Sequence, residues 1–150
     1  MMPALVGPAK NISSAMARSV KVASSSIVPV VVGIIQTGQT YLIAERPQGK
    51  PYAGFWEFPG GKIESHESAY QALVRELKEE LGIAVMSADP LCIYPHTYPD
   101  KKVLLHCWRV TAFEGTPIGK EGQQLCWASH QLLTTKKILE GSRKILVECL

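Results

Sequence analysis

Long apolar segments and acidic residues near the N-terminus are both missing from this chain of 150 residues. The longest apolar run, Ile27 to Ile35, has nine residues and contains a proline and a glycine. A helix that spans a bilayer needs about 20 consecutive apolar residues. The sequence therefore predicts no membrane-spanning helix. No acidic residue precedes Glu45, which sets the first part of the chain apart from the rest.

Residues 1–25 are rich in alanine, serine, methionine and valine, with three basic residues and no acid. Organellar transit peptides share this composition, but the segment has only weak amphipathic order and lacks the apolar core of a secretory signal. We expect either a flexible N-terminal extension or a start codon placed too early, with a transit peptide as the alternative. Residues 26–150 are then predicted to form one domain.

Closely spaced cysteines are also missing. The chain has no C-x-x-C pair, and its four cysteines are widely scattered: Cys92, Cys107, Cys126 and Cys149. This pattern predicts reduced thiols that serve as small core residues, and a cytoplasmic location. The net charge of +3 is too mild to indicate binding to nucleic acid, which requires a clustered basic face.

Carboxylates, in contrast, are concentrated between residues 61 and 83. Five of the thirteen acidic residues lie there: Glu64, Glu67, Glu76, Glu79 and Glu80. The last three have the i, i+3, i+4 spacing of a single helical face, where carboxylates repel one another. They also fall in the second half of the predicted helix, where the macrodipole disfavours anions. A divalent cation bound by oxygen ligands would reverse both effects.

Apolar residues in the same stretch predict an amphipathic helix. They recur at Tyr70, Leu73, Val74, Leu77 and Leu81. We expect Ser65 or a neighbour to cap its start and Glu67 to lie in its first turn. Gly82 is expected to end the helix in a left-handed conformation.

This stretch resembles the signature of the Nudix hydrolase family. The signature is Gly, five residues, Glu, seven residues, Arg-Glu-apolar, one residue, Glu-Glu, one residue, Gly-apolar. Every position is matched, by Gly61, Glu67, Arg75, Glu76, Leu77, Glu79, Glu80, Gly82 and Ile83. We refer to residues 61–83 as the acidic motif.

The resemblance extends over about residues 28–149. The segment Trp56 to Lys62 is similar to the lead-in of the MutT branch of the family, as is the run Glu114 to Gln123 followed by Trp127. The resemblance implies an α/β fold, an α/β/α sandwich with a mixed β-sheet. It also implies hydrolysis of nucleoside triphosphates to monophosphate and pyrophosphate, with oxidised guanine nucleotides such as 8-oxo-dGTP as substrates.

The resemblance further implies a set of metal ligands. Carboxylates repel phosphate, so they assist phosphoanhydride hydrolysis only through metal ions. The expected cofactor is Mg²⁺, with Mn²⁺ as the alternative. The implied ligands are the Gly60 carbonyl, Glu76, Glu79, Glu80 and Glu121. For Glu121 the resemblance also allows the role of base for the attacking water, and a solvated loop glutamate is the alternative.

Two further charged residues in the motif are expected to orient these ligands. Glu67 and Arg75 lie eight residues apart, about two helical turns, and the Arg75 fork suits a carboxylate. An ordinary intrahelical ion pair is the alternative. Phosphate contacts are expected from Lys62 and Arg46, either of which could instead be a plain surface cation.

Recognition of the base is less well defined by the sequence. Phe58 and Tyr98 match positions that line the pocket in MutT-like proteins, with Trp56 and Trp108 as further candidates. The family reads the oxidised guanine edge with an asparagine, and the register places Ser142 at that position. A serine hydroxyl lacks the paired donor and acceptor arms of an amide. CTP or a modified pyrimidine triphosphate is therefore the alternative substrate.

A catalytically inactive Nudix domain that binds nucleotide is a remote alternative, since such domains usually lose glutamates that this chain retains. The oligomeric state is left open between monomer and homodimer. Elsewhere, the pattern predicts strands at Ile27–Ile35, Tyr41–Arg46, Trp56–Phe58, Leu91–Tyr98, Val103–Phe113 and Leu125–Ala128, and a helix at Ser142–Cys149.

Overall fold

The computed structural model describes residues 26–150, and the predicted extension at 1–25 lies outside the described residues. The strands are β1 (Ile27–Thr37), β2 (Thr40–Glu45), β3 (Trp56–Glu57), β4 (Gly60–Lys62), β5 (Ala84–Tyr98), β6 (Lys101–Glu114) and β7 (Leu125–Ser129). The helices are α1 (Ala69–Leu81), α2 (His130–Thr135) and α3 (Glu140–Cys149). None of these three helices has the length and apolarity needed to cross a membrane.

The seven strands form one mixed sheet with β1 near its centre. β1 runs parallel to β6 and antiparallel to β4 and to the start of β2. β5 pairs with β6 at one edge, and both β3 and β7 pair with β2. β5 and β6 form a hairpin that turns at residues 99–100, between the predicted strands Leu91–Tyr98 and Val103–Phe113. β4 and α2 were not predicted, because Gly-Gly-Lys carries no strand pattern and α2 is only six residues long.

Helices cover the sheet on both faces, which confirms the predicted α/β/α sandwich. β1 is buried on both sides, since alternate residues face opposite layers. Val31 and Ile35 pack with Leu73 and Leu77 of α1, whereas Ile34 packs in the second cluster with α2 and α3. A continuous Val/Ile run is the composition that a strand in this position requires.

The capping residues of α1 differ in part from the prediction. Ser68 is the N-cap, and its hydroxyl accepts from the Gln71 amide while the Gln71 side chain accepts from the Ser68 amide. Glu67 therefore precedes the helix, and its predicted place in the first turn is wrong. Gly82 ends the helix with φ 72°, as predicted. A capping box satisfies two amides that would otherwise lack partners, which explains why the helix begins at Ser68.

The prediction of four reduced thiols is wrong for two of the cysteines. Cys92 of β5 and Cys149 of α3 form a disulfide, with their Cα atoms 6.8 Å apart. The two residues are 57 positions apart, so the spacing gives no indication of the pairing. Cys107 is a buried free thiol in the core, as predicted, and burial raises its pKa to about 12. Cys126 is free and half-buried.

Candidate active site

A cavity of about 300 Å³ lies between the sheet and α3, and residues of the acidic motif line part of it. Gly60 of β4 pairs with Val32 of β1, whereas Lys102, next to the β5–β6 turn, pairs with Ile27. Five residues along a strand span about 16 Å. The acidic motif and the hairpin turn therefore contribute to well-separated parts of the same cavity.

Arg75 connects the acidic motif to the segments that precede α1. Its guanidinium donates to both carboxylate oxygens of Glu67, with Nε 3.0 Å from Oε2. It also donates to the Lys62 carbonyl (3.0 Å), to Glu76 (3.0 Å) and to Glu79 (3.3 Å). The predicted contact between Glu67 and Arg75 is present. It joins a loop to the helix, however, and is not an intrahelical pair.

The Glu67 carboxylate is held in its charged form by these contacts. The hydrogen bond from Arg75 lowers the pKa of Glu67 to about 2, and a hydrogen bond from the Glu64 amide contributes. The hydrogen bond with Glu67 in turn raises the pKa of Arg75 above its ordinary value, and Glu76 adds to this shift. A fork-shaped pair of this kind fixes the position of both side chains.

Glu76 and Glu80 bring two carboxyl groups together beside the cavity. Burial raises the pKa of Glu80, and the neighbouring Glu76 and Glu121 carboxyls raise it further. The Glu76 carboxylate also packs against Gly61, where an added Cβ would lie 2.3 Å from Glu76 Cδ. An acid held among other acids is favoured in its charged form only by a cation, so the oxygen-rich set fits a hard divalent ion.

The predicted ligands do not all converge on one point. Among residues 26–150, no three His, Cys, Asp or Glu side chains are arranged as a ready-made metal site. Glu79 is more than half exposed, and Arg75 attracts its carboxylate together with that of Glu76. Glu76, Glu79 and Glu80 lie in one helix at the predicted spacing, and their joint role as metal ligands stays a prediction. The Arg75 guanidinium would compete with a metal ion for the carboxylates of Glu76 and Glu79.

Glycines let β4 approach its neighbours closely. A Cβ on Gly60 would lie 1.9 Å from the Val31 carbonyl oxygen. Gly60 therefore has to be a glycine for β4 to pair with β1, and this pairing brings its backbone to the wall of the cavity. The predicted position of the Gly60 carbonyl next to the acidic motif is consistent with this geometry.

The loop at residues 115–124 docks on the C-terminal end of α1. The Lys120 amide and the Gln123 side chain both donate to the Glu80 carbonyl, at 3.0 and 3.1 Å. The Gln123 side-chain oxygen also accepts from the Glu121 amide at 2.9 Å. These contacts satisfy a helix-end carbonyl and place Glu121 on the cavity wall near Glu80. Sequence analysis did not identify Gln123 as the residue that anchors this loop.

Arg46 lines the cavity, but its guanidinium already has partners. It donates to the Pro51 carbonyl (2.7 Å) and to Glu57 (3.2 Å). Burial raises the pKa of Glu57, and the nearby Arg46 only partly opposes this shift. The predicted phosphate contact through Arg46 would require these bonds to be exchanged. Glu57 is a cavity carboxylate that sequence analysis missed, although it lies within the lead-in segment.

The predicted base-contacting residues separate into two groups. Phe58, Tyr98 and Ser142 all line the cavity, whereas Trp56 and Trp108 do not. Trp108 packs edge-on against Tyr70 in the cluster around α1, with ring centroids 5.4 Å apart. Lys62 is exposed at the cavity edge, as its predicted contact with phosphate requires.

Ser142 and Tyr98 tie α3 to the rest of the cavity wall. The buried Ser142 hydroxyl accepts from the Phe58 amide at 3.2 Å. The Tyr98 hydroxyl accepts from the Gly141 amide at 2.9 Å, an approach that a Cβ on Gly141 would block. Ser142 therefore has a structural partner on Phe58, which leaves its hydroxyl hydrogen and one oxygen lone pair for a ligand.

Comparisons with known proteins agree with this architecture. The NUDIX domain model matches residues 27–149. The chain is 42% identical to the CTP pyrophosphohydrolase of Escherichia coli K12 over 105 residues, which are 70% of this chain and 78% of that protein. It is 35% identical to the 8-oxo-dGTP diphosphatase of Haemophilus influenzae over 122 residues, 80% of this chain and 89% of that protein.

A solved structure shares the fold over most of the chain. The MutT NUDIX hydrolase from Burkholderia pseudomallei superposes with a TM-score of 0.76 and 27% identity, covering 82% of this chain and 98% of that one. The match to the family model covers the sheet, all three helices and the complete acidic motif. The chain is therefore an enzyme that belongs to the Nudix hydrolase family.

Proposed function

We propose that this enzyme is a Mg²⁺-dependent nucleoside triphosphate diphosphatase that releases nucleoside monophosphate and pyrophosphate, with 8-oxo-dGTP as its preferred substrate. The observation that carries this proposal is the Glu80 carboxyl on the cavity wall, with the Glu76 carboxyl next to it and packed against Gly61. Their neighbours are acids, the Gly60–Gly61 backbone and Arg75, an environment that suits a hard cation and a polyphosphate.

Some residues of the site would bind the cation, and others would position these ligands and the substrate. Glu76, Glu79, Glu80, Glu121 and the Gly60 carbonyl would hold the cation. When bound, a divalent cation neutralises charge on the phosphate oxygens and acidifies the attacking water. Glu121 lies on the cavity wall near Glu80, where its carboxylate would accept a proton from that water.

The positioning residues act on these ligands and on the substrate. Arg75 fixes Glu76 and Glu79 relative to the Glu67 loop. Lys62, exposed at the edge of the cavity, supplies a positive charge for the phosphates. Phe58 and Tyr98 line the same cavity and would provide apolar surface for the base.

Several relatives support the choice of 8-oxo-dGTP, including the H. influenzae and E. coli 8-oxo-dGTP diphosphatases, at 35% and 41% identity. The second candidate is CTP or a modified pyrimidine triphosphate. One observation favours it, because Ser142 is bonded to the Phe58 amide and offers a single hydroxyl to the base. The 42% identity with a CTP pyrophosphohydrolase points in the same direction.

The proposal is tested by kcat/KM for 8-oxo-dGTP, dGTP and CTP with Mg²⁺, since this ratio measures discrimination in the transition state. We expect turnover to stop when EDTA removes the metal, and Glu80→Gln to lower kcat/KM by at least about 100-fold. Glu148→Gln, an exposed acid on α3, serves as the matched control and should change nothing. Full turnover in EDTA would exclude the metal-dependent mechanism.

We further propose that the enzyme works in the cytoplasm as a monomer or homodimer, without direct binding to nucleic acid. A nucleotide triphosphate is a diffusible substrate, and the net charge of +3 is too small for tight binding to a phosphate backbone. Light scattering of the purified enzyme and titration with duplex DNA test these two points.

A further inference from the structure

Tyr52 has a backbone conformation that its side chain does not favour. It has φ 62°, and within residues 26–150 the other residues with positive φ are glycines. The left-handed region costs a bulky residue free energy that glycine or asparagine largely avoids. A tyrosine at such a position indicates that its ring has a function that offsets this cost.

The Tyr52 ring lies on the wall of the cavity and contacts the β5–β6 hairpin. Its hydroxyl donates to Asp100 at 3.1 Å, and its ring centroid is 5.5 Å from that of Tyr98. The Phe55 ring meets the Tyr52 ring edge-on, with the ring centroids 6.1 Å apart. Phe55 itself does not line the cavity, whereas Tyr52 and Tyr98 do. Tyr52 and Tyr98 therefore form a continuous aromatic wall.

The loop that carries Tyr52 is closed at its base. The Arg46 amide donates to the Phe55 carbonyl at 2.8 Å, the Gly54 amide donates to the Arg46 carbonyl, and the Arg46 side chain donates to the Pro51 carbonyl. Such a compact loop holds its shape through its own contacts. Its hydrogen bond to the hairpin, from Tyr52 to Asp100, links segments 48 positions apart.

We propose that Tyr52 is a specificity-determining residue that packs its ring on the nucleobase of the bound nucleotide, with the Tyr52–Asp100 hydrogen bond holding the loop against the hairpin. The proposal rests on the proposed function, since it assigns the base to this part of the same cavity. The aromatic wall contacts the β5–β6 hairpin turn, and the strand register places Lys102 beside that turn about 13 Å along β1 from Gly61 of the acidic motif. This separation suits a nucleotide that spans the cavity from phosphates to base.

Equilibrium binding separates this role from hydrolysis. The probes are dGMP, 8-oxo-dGMP and dCMP, with 2-deoxyribose 5-phosphate as the base-free control, titrated calorimetrically against the full chain. Tyr52→Asn keeps a residue that tolerates positive φ but removes the ring. We expect it to weaken binding of the nucleoside monophosphates about 5- to 50-fold, the usual effect of losing one stacked ring. Binding of 2-deoxyribose 5-phosphate should stay as in the wild type.

Two conservative variants test the hydrogen bond. Tyr52→Phe and Asp100→Ala each remove it while keeping an aromatic ring in place, and both should weaken nucleoside monophosphate binding by the same factor, about two- to fivefold. Gln48→Ala is the matched control in the same loop and should bind the probes as the wild type does, because Gln48 is exposed and does not line the cavity.

The thermal midpoint distinguishes a structural role from recognition of the base. Because asparagine relieves the strain at this position but loses the contacts with Asp100 and Phe55, Tyr52→Asn should shift the midpoint by only about a few degrees. Equal losses for the nucleotides and for 2-deoxyribose 5-phosphate, or unchanged nucleotide binding, would overturn the proposal. A wild type that binds the base-free probe as tightly as the nucleotides would also overturn it. The proposed function fails by a different result, the absence of metal-dependent triphosphate turnover.

Discussion

Arg75 shows how one side chain can organise a site from outside the reacting atoms. Its guanidinium bonds to Glu67, to the Lys62 carbonyl, and to Glu76 and Glu79. We predict that Arg75→Ala lowers kcat/KM by about 10- to 100-fold, the usual effect of losing a residue that orients metal ligands. The free energy of unfolding should fall by only about 1 kcal/mol, because the Arg75 side chain is partly exposed and such pairs are weak.

Arg75→Lys should not restore this activity, since a single ammonium group cannot bond to a carboxylate and a carbonyl as the fork does. Arg109→Ala is the matched control, because Arg109 is bonded to one surface glutamine at 3.2 Å. Steady-state kinetics and urea unfolding of the three variants check the prediction. Parallel losses of activity and stability would indicate that Arg75 is an ordinary ion-pair partner.

For single residues, the sequence predicted which side chains belong to the site better than it predicted their hydrogen-bond partners. Glu67 and Arg75 were predicted to be partners and are, but the capping box at Ser68 moves Glu67 out of the helix. The contacts of Arg46 with Glu57 and Pro51 depend on how a loop folds back, which spacing cannot show. The strained conformation of Tyr52 is likewise a property of the folded loop.

Among the loops and helices, the loop at 115–124 is anchored to the end of α1 by the side chain of one glutamine. Gln123 donates to the Glu80 carbonyl and accepts from the Glu121 amide, so it links the loop to the end of α1. We predict that Gln123→Ala lowers kcat about 10-fold, because Glu121 loses its fixed position. The thermal midpoint should change little, because the loop is exposed. Stopped-flow or steady-state kinetics with saturating substrate measure this change.

The neighbouring Gln124 provides the control for that experiment. Its side chain is exposed and makes no hydrogen bond within residues 26–150 that would anchor the loop. Gln124→Ala should therefore match the wild type. If both alanine variants kept wild-type kcat, the docking of the loop would have no part in turnover, and the proposed role of Glu121 would lose its structural basis.

Elements with a strong periodic pattern were predicted, and elements made by tertiary pairing were not. The apolar face of α1 and the Val/Ile run of β1 are visible in the sequence because burial selects their composition. β4 exists because Gly60 and Gly61 can approach β1, and its three residues have no strand propensity of their own. α2 is too short for a period to be read.

For the molecule as a whole, the resemblance to the Nudix family implied the α/β/α sandwich, but nothing in the sequence indicated the disulfide that links the sheet to α3. Cys92 is in an edge strand and Cys149 is in the last turn of α3, and the sheet register and helix packing bring them together. The helix they fix also carries Gly141 and Ser142, which line the cavity. The disulfide therefore connects the edge of the sheet to a wall of the active site.

We predict that Cys149→Ser lowers the free energy of unfolding by about 2–4 kcal/mol, because the link closes a long loop in the unfolded chain. Urea unfolding with and without dithiothreitol measures the effect. The reductant should shift the wild type towards the variant and leave the variant unchanged. Cys126→Ser, which removes a half-buried free thiol, is the control and should respond to the reductant as the wild type does. If the reductant left the wild-type midpoint unchanged, the link would contribute nothing to stability, and the packing of α3 against β5 would depend on its apolar contacts alone.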